Sequence, residues 1–438
     1  MKKEKWSVRA RWFTVSFQVD SLERDASQVL SLVRSMKNAL ALINKIPSDV
    51  LSLIPNYWED SNRDTSLIRL THVCRSWREL FTSCPLLWAC LDCSSVDKTK
   101  TYIERSKSSP LEICLWLGNS PSHPEEALIL AATHVGRLGT LSTEGNSDQV
   151  LTVLIKHFSC PVPPLRKLNI RFYHIDNRAI TLPDELFNGD LSSLLDLCLY
   201  GVITPLPWRG LSNLTTFSLF NVPEDKILLT PLLDFLESTP HLRCITFFDS
   251  IPNSSDAPAE RLVSLPHLKD LYISAQPAHS VLLNHLSIPA GVSLNLTLTL
   301  SGNESPILSH LPESLNNLDN LSHIISINLC LSSEQRSVRL NGPSGELYMR
   351  GNWRRSNRNG APGRFLRSLD KFDISRSQWL AVTQCNVCPL PNPPPHGRPS
   401  DPYTQSMQQP PIHFIPESEQ KSRRNRAVSQ AGGYYFLH

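Results

Sequence analysis

Along the middle of the chain, apolar residues recur at a spacing of three and then two. The copies are Leu165/Leu168/Ile170, Leu194/Leu197/Leu199, Leu214/Phe217/Leu219, Leu242/Ile245/Phe247 and Leu268/Leu271/Ile273, with later ones at Ile324/Ile327/Leu329 and Leu369/Phe372/Ile374. Strand side chains alternate between faces, so this spacing puts the first apolar residue in the turn entering a short strand and the next two on one face of it. The first five copies begin 29, 20, 28 and 26 residues apart. That leaves room for helix-capable return segments such as Leu232 to Leu236 and Leu282 to Leu286. One such unit cannot bury its apolar edge alone, but stacked units share a continuous core.

Upstream lies a segment of a different kind. Pro47 has a fixed φ and no amide hydrogen, which suits the opening turn of a helix, and Asp49 puts a carboxylate near the positive end of that helix's dipole. Ile46, Val50, Leu53 and Ile54 share one face, and Pro55 stops the helix. Two turns are too short to persist alone in water. Leu67, Ile68 and Leu70 predict a short middle helix. Val73, Trp77, Leu80 and Phe81 predict a third with one apolar face, and Arg75 and Glu79, four apart, lie on its wet side. Cys84-Pro85 ends it, and Leu86, Leu87 and Trp88 follow in a non-helical segment. So little helix buries little core, so apolar surface is expected to remain exposed, and such patches mark interfaces.

The strings I-P-x-D-V-L-x-x-I, V-C-R-x-W-R-x-L and L-L-W, in that order, resemble an F-box. The polar loop Tyr57 to Thr65, longer than the family norm, and the flanking I-E-R-S-K-S-S-P-L (Ile103 to Leu111) are similar to those of fungal F-box proteins. Asp49 stands where the family usually has Glu, which keeps the charge, and Pro55 comes soon after the first helix. The resemblance implies a small all-helical domain over residues 44–92 that docks to the Skp-type adaptor of a cullin-RING ubiquitin ligase. The positions it assigns to that contact are Ile46, Pro47, Val50, Leu51, Ile54, Val73, Trp77, Leu80, Leu86 and Trp88.

The recurring units in turn resemble leucine-rich repeats, and specifically the irregular repeats of F-box proteins. Asn213, His241 and His267 lead their copies with a polar residue, the last two preceded by Pro. Three positions after the last core residue, where a regular horseshoe has Asn, stand Val202, Val222, Ser250 and Gln276. Buried side-chain amides are therefore not expected to ladder the turns. The simpler alternative is a string of unrelated amphipathic strands in some α/β fold.

Composition narrows the remaining choices. The 438 residues are 40% hydrophobic and the net charge is +3, from 43 basic and 40 acidic residues, so no overall field drives the chain to nucleic acid or membrane. No apolar run is long enough for a transmembrane helix, and Trp12 to Val19 leads into Asp20 and Glu23 rather than a small-residue cleavage site, so no signal peptide is read. Eleven cysteines are scattered singly, among them Cys114, Cys198, Cys244 and Cys330 within strand-like runs. That is how reduced, buried thiols are distributed, and it argues for cytosol or nucleus.

Signals of chemistry are weak. Cys385-x-x-Cys388 has metal-ligand spacing with His396 nearby, but no second pair follows, and no cofactor or metal is expected. There is no Gly-rich phosphate loop, no H-E-x-x-H and no G-x-S-x-G, so nothing supports an enzyme. Arg350, Arg354, Arg355, Arg358, Arg364 and Arg367, with Trp353 and Phe365 among them, could contact phosphate or RNA. The plainer reading of that cluster is a solvated loop. Residues 389–416 hold ten prolines in 28 positions, and Lys421 to Arg426 is basic.

The reading is therefore an α/β chain: a basic, mostly disordered extension over 1–43 with a possible helix through Val29, Leu32 and Val33, an all-helical F-box over 44–92, a linker and irregular leucine-rich-repeat solenoid of short parallel strands with helices over 93–385, and a Pro-rich disordered tail over 386–438. The expected role is that of a non-catalytic ligase subunit in the cytoplasm or nucleus, with an unidentified protein substrate on the repeats. The rivals are a repeat scaffold without a ligase role and an Arg-cluster nucleic-acid-binding protein.

Overall fold

The computed structural model describes residues 2–57, 63–117, 124–162, 164–172, 180–183, 186–189, 191–203, 210–252, 261–275, 279–300, 311–312, 314–331, 335–353 and 379–384. The chain is mixed α/β, dominated by mostly parallel β-pairing with helices between strands, and it divides into two compact units, residues 1–217 and 218–438. The division does not fall at residue 92. The expected boundary there is crossed by pairing, because the strand Cys90–Leu91 already hydrogen-bonds in parallel with Leu111–Leu117.

In the first unit the elements run α1 (Lys2–Leu40), α2 (Ser48–Leu53), α3 (Arg63–Thr71), α4 (Arg75–Ser83), β1 (Cys90–Leu91), α5 (Val96–Ser106), β2 (Leu111–Leu117), α6 (Glu125–Ala132), β3 (Leu138–Gly145), α7 (Ser147–Phe158), β4 (Lys167–Phe172), β5 (Ile180–Thr181), β6 (Asp196–Tyr200) and β7 (Val202–Ile203). α1 covers the stretch expected from sequence to be a mostly disordered extension with a helix through Val29, Leu32 and Val33. No Gly or Pro interrupts residues 2–40, so nothing in the backbone breaks the helix.

Strands β1, β2, β3, β4 and β6 pair in that order, all parallel. Their register aligns the apolar residues in rows: Ile113, Leu141, Leu168 and Leu197, then Leu115, Thr143, Ile170 and Leu199. All of these are buried, and they are the faces that the three-then-two spacing assigns to the core. Two strands escape that pattern in sequence: β2 has Pro110 three before Ile113, and β3 has Thr143 where a third apolar residue would stand. At the end of β3, Gly145 has φ +153°, and a Cβ there would lie 2.1 Å from the carbonyl oxygen of Leu117. Only glycine lets the strands approach so closely.

The second unit contains most of β8 (Thr216–Phe220), α8 (Leu229–Ser238), β9 (Cys244–Phe248), β10 (Val263–Ser264), β11 (Asp270–Ala275), α9 (His279–Leu283), β12 (Leu286–Ser287), β13 (Val292–Leu300), β14 (Ser326–Leu331), β15 (Gln335–Gly342), β16 (Gly345–Trp353) and β17 (Trp379–Gln384). β9, β11, β13 and β16 pair in parallel, giving a buried row Ile245, Leu271, Leu294 and Leu347 and a second row Phe247, Ile273, Leu296 and Met349. α8 forms over Leu232 to Leu236 as expected. The segment from Leu282 instead leaves the helix at Leu283, and Leu286 opens β12.

Past β13 the parallel order changes. Ile324, Ile327 and Leu329 are buried, but their strand β14 pairs antiparallel with β15, which pairs antiparallel with β16. The reason is local. Gly342 pairs with Gly345 across a loop of only Pro343-Ser344, and a two-residue connection can join only antiparallel neighbours. β17 then pairs in parallel with β14, with Thr383 opposite Cys330. Cys330, expected as a reduced thiol, is disulfide-bonded. The second expected later copy, Leu369/Phe372/Ile374, lies outside the described residues.

The turns after the strands also have a device that the spacing of apolar residues does not reveal. Ser250 stands where a regular repeat has Asn, and its buried hydroxyl accepts from the Val222 amide at 2.9 Å while donating to the Phe248 carbonyl at 2.9 Å. Amides act at the strand entries instead. Asn213 Nδ2 donates to Ser192 O at 2.8 Å, Asn317 Nδ2 to the carbonyls of Leu283 and Leu286 at 2.7 Å each, and Asn320 Nδ2 to Val292 O at 3.3 Å.

Candidate functional site

The helical segment around α2, α3 and α4 closes on a small core. Leu51, Leu67, Trp77, Phe81 and Trp88 are buried. The Trp77 ring meets Phe81 edge-on at 5.6 Å, and its indole N–H donates to Asn44 Oδ1 at 2.6 Å, tying the chain before α2 to α4. Arg78 Nε donates to the Thr71 carbonyl at 2.9 Å across the break between α3 and α4. Trp88 Nε1 donates to Phe81 O at 2.8 Å, while its ring packs edge-on to Tyr102 at 5.0 Å and under the Arg105 guanidinium at 4.3 Å. The segment is thereby seated on α5. There Ser95 Oγ caps the helix by accepting from the Lys98 amide, and Lys98 pairs with Asp92 at 2.5 Å. Burial alone would raise the Asp92 carboxyl, but hydrogen bonds from Lys98 and Ser94 outweigh it and hold the group below its ordinary value.

What that core does not consume faces outward. Ile46, Pro47, Val50, Val73 and Leu86 are exposed, Leu86 by 65%, and Ile54 and Leu80 are half-buried. These are contact positions assigned from the sequence that remain available. Leu51, Trp77 and Trp88, assigned to the same contact, are buried beneath that surface. In α2 Leu51 follows Val50 by one residue, about 100° around the helix, which turns it inward when Val50 faces out. The two indoles bring the largest apolar area and find hydrogen-bond partners inside, so burial is their favourable state. The site assignment omitted Leu53 and Ile68, which are also exposed. Ile68 follows buried Leu67, so the boundary between core and surface runs between neighbours.

The second candidate surface is the opposite face of the strands. In the first unit its rows are Glu112, Thr140, Lys167 and Asp196; Cys114, Ser142, Asn169 and Cys198; and Trp116, Glu144, Arg171 and Tyr200. Arg171 reaches Glu144 at 3.7 Å and donates through Nε to Asn169 Oδ1 at 3.1 Å. Trp116, half exposed, stands at the end of its row. In the second unit the rows are Cys244, Asp270, Ser293 and Glu346; Thr246, Tyr272, Asn295 and Tyr348; and Phe248, Ser274, Thr297 and Arg350. Ser293 Oγ donates to Glu346 at 2.6 Å, Asn295 Nδ2 donates to Ser293 Oγ at 3.2 Å, and the Arg339 guanidinium lies 5.2 Å from the Tyr348 ring centre. Such rows offer hydrogen bonds, charges of both signs and aromatic surface on a rigid frame.

Among the described residues no group of three or more His, Cys, Asp and Glu could hold a metal ion, and no helix is long and apolar enough to cross a membrane. Arg350 is the one arginine of its cluster inside the described residues, in β16 opposite Thr297. Arg354 to Arg367, Cys385, Cys388, His396 and Lys421 to Arg426 lie outside them. Compared with known proteins, the chain matches no family model and no curated protein.

Proposed function

We propose that the chain is the substrate-recognising, non-catalytic subunit of a Skp-cullin-F-box ubiquitin ligase, with residues 44–92 acting as the F-box and the stacked strand units as an irregular leucine-rich-repeat solenoid that holds a protein substrate. The observation that carries the reading is the sorting of apolar residues in 44–92. A closed core of Leu51, Leu67, Trp77, Phe81 and Trp88 leaves Ile46, Val50, Leu53, Ile68, Val73 and Leu86 in water, and exposed apolar patches of this kind mark protein interfaces. The mechanism is proximity. One surface holds the ligase core, the strand rows hold the substrate, and ubiquitin transfer is accelerated by effective concentration, with the catalytic groups on other subunits.

Affinity purification with mass spectrometry, with and without proteasome inhibition, tests both halves. The expected result is a Skp-type adaptor and a cullin in every sample, and client proteins that accumulate only under inhibition. Recovery of clients without adaptor or cullin would leave a repeat scaffold and remove the ligase role.

A further inference from the structure

We infer that α1 is a homodimerisation helix that forms a parallel two-stranded coiled coil with α1 of a second copy of this chain. From Val15 onward eight of its apolar residues are spaced alternately four and three apart, with Phe17, Leu30, Leu32 and Ala39 beside that series. Val15, Leu22, Val29 and Met36 occupy one position of a seven-residue repeat, and Val19, Ala26, Val33 and Leu40 occupy the other. A repeat of 3.5 residues keeps one seam along a helix only if the helix supercoils with a partner of the same period. The seam is bare in the single chain: Val15 is 51% exposed, Leu22 69% and Leu40 77%. Asp20, Arg24, Ser27, Gln28, Ser31, Arg34 and Asn38 stand at outer positions, where Phe17 is the one large apolar residue.

Length and charge point to a second copy. α1 has 39 residues, about 58 Å, whereas α7, the next longest helix among the described residues, has 12. No other described helix can line the seam. Its apolar side chains, at roughly 60–120 Å² for each fully buried aliphatic group, are together enough for two helices to reach the roughly 1,000 Å² that a specific interface needs. Laid parallel and in register, Gln18 faces Glu23 of the second copy, Asp25 faces Leu30 and Leu32 faces Lys37, so no like charges meet across the seam. The antiparallel pairing that overlaps the full seam sets Glu23 against Leu30 and Asp25 against Leu32, so charge allows either direction and the cross-link at Val33 decides between them. Valines at 19 and 33 favour two strands over three or four. The result would be two copies of the 44–92 surface at the same end of one rod, whatever that surface binds.

Sedimentation equilibrium of the full chain at micromolar concentration should give a dimer mass. Leu22→Glu with Val29→Glu should weaken that dimer by at least about a hundredfold, because each seam charge would be buried without a partner. Ser27→Glu with Ser31→Glu, on the outer face, should leave the mass unchanged. Val33→Cys should cross-link to its own copy on mild oxidation, beyond any linkage seen with the unaltered chain. A monomeric full chain, a dimer that survives the seam charges, or a Val33→Cys variant that links no better than the parent would each overturn the inference. So would a monomer whose α1 binds vesicles of acidic lipid, since the apolar face would then belong to a membrane.

Discussion

The indole N–H of Trp88 donates to the carbonyl oxygen of Phe81 at 2.8 Å, with both side chains fully buried. Phe81 lies in the last turn of α4, where carbonyls have no partner further along the helix. A residue beyond the helix end therefore satisfies a group that the helix leaves open, and it does so while filling the space between α4 and α5. Trp88→Phe keeps most of the apolar volume and removes the donor. The expected loss is about 1–3 kcal/mol, the range for a buried carbonyl left unpaired, read as a lowered denaturant midpoint at unchanged slope.

The contrast between adjacent residues in α2 is sharper. Leu51→Ala should cost about 2–5 kcal/mol, because it opens a cavity under the helix, while Val50→Ala should stay within about 0.5 kcal/mol, as exposed substitutions do. Thermal melts of the two variants side by side measure the difference. Equal effects would mean that the inner and outer faces of this segment have been assigned wrongly.

Ser250 provides a test in the second unit. Ser250→Ala removes the hydroxyl that serves the buried Val222 amide, and the expected cost is about 1–3 kcal/mol. Ser250→Asn asks whether the position where a regular repeat has an amide accepts one. Recovery of stability there would show that the turn has room for it.

The apolar rows were legible because burial leaves a spacing in the sequence. Leu197, Phe217, Ile245 and Leu271, each the middle residue of its triplet, are all buried. The change of strand direction at β15 was harder to read, because apolar alternation looks the same in parallel and antiparallel strands. Its signal sits in the turn Gly342-Pro343-Ser344-Gly345. The helical course of residues 2–40 was obscured for another reason. Its seam residues are interleaved with Ser, charged residues and off-seam Phe17, Leu30 and Leu32, so no single apolar face stands out from the sequence. In residues 44–92 the motif did not sort buried Leu51, Trp77 and Trp88 from exposed Val50, Val73 and Leu86. Motif position does not encode which side a neighbouring element covers.

Thiol chemistry should separate along the same lines. Burial, with the Asp92 carboxylate adding to it, pushes the Cys93 thiol up to about 12 from an ordinary value of 9.0, whereas Cys160 is exposed. Because the folded value is raised, the stability linked to Cys93 is fully present below pH 9 and is lost as the pH climbs from 9 toward about 12. At pH 8 an alkylating reagent should modify Cys160 first and reach Cys93 only on unfolding. Peptide mapping after timed alkylation reads the order directly, and early modification of Cys93 would contradict its place beneath α5.

Under the proposed function, the apolar surface left open around α2, α4 and Leu86 is the docking face for a Skp-type adaptor. Titration of the purified full chain against a purified adaptor, by calorimetry, tests it most directly, using the parent and a Val50→Asp/Leu86→Asp variant. Saturable binding by the parent is expected, lost or weakened at least about tenfold in the variant, with both proteins melting at the same temperature. A parent that does not bind, or a variant that binds as tightly as the parent, would contradict the account.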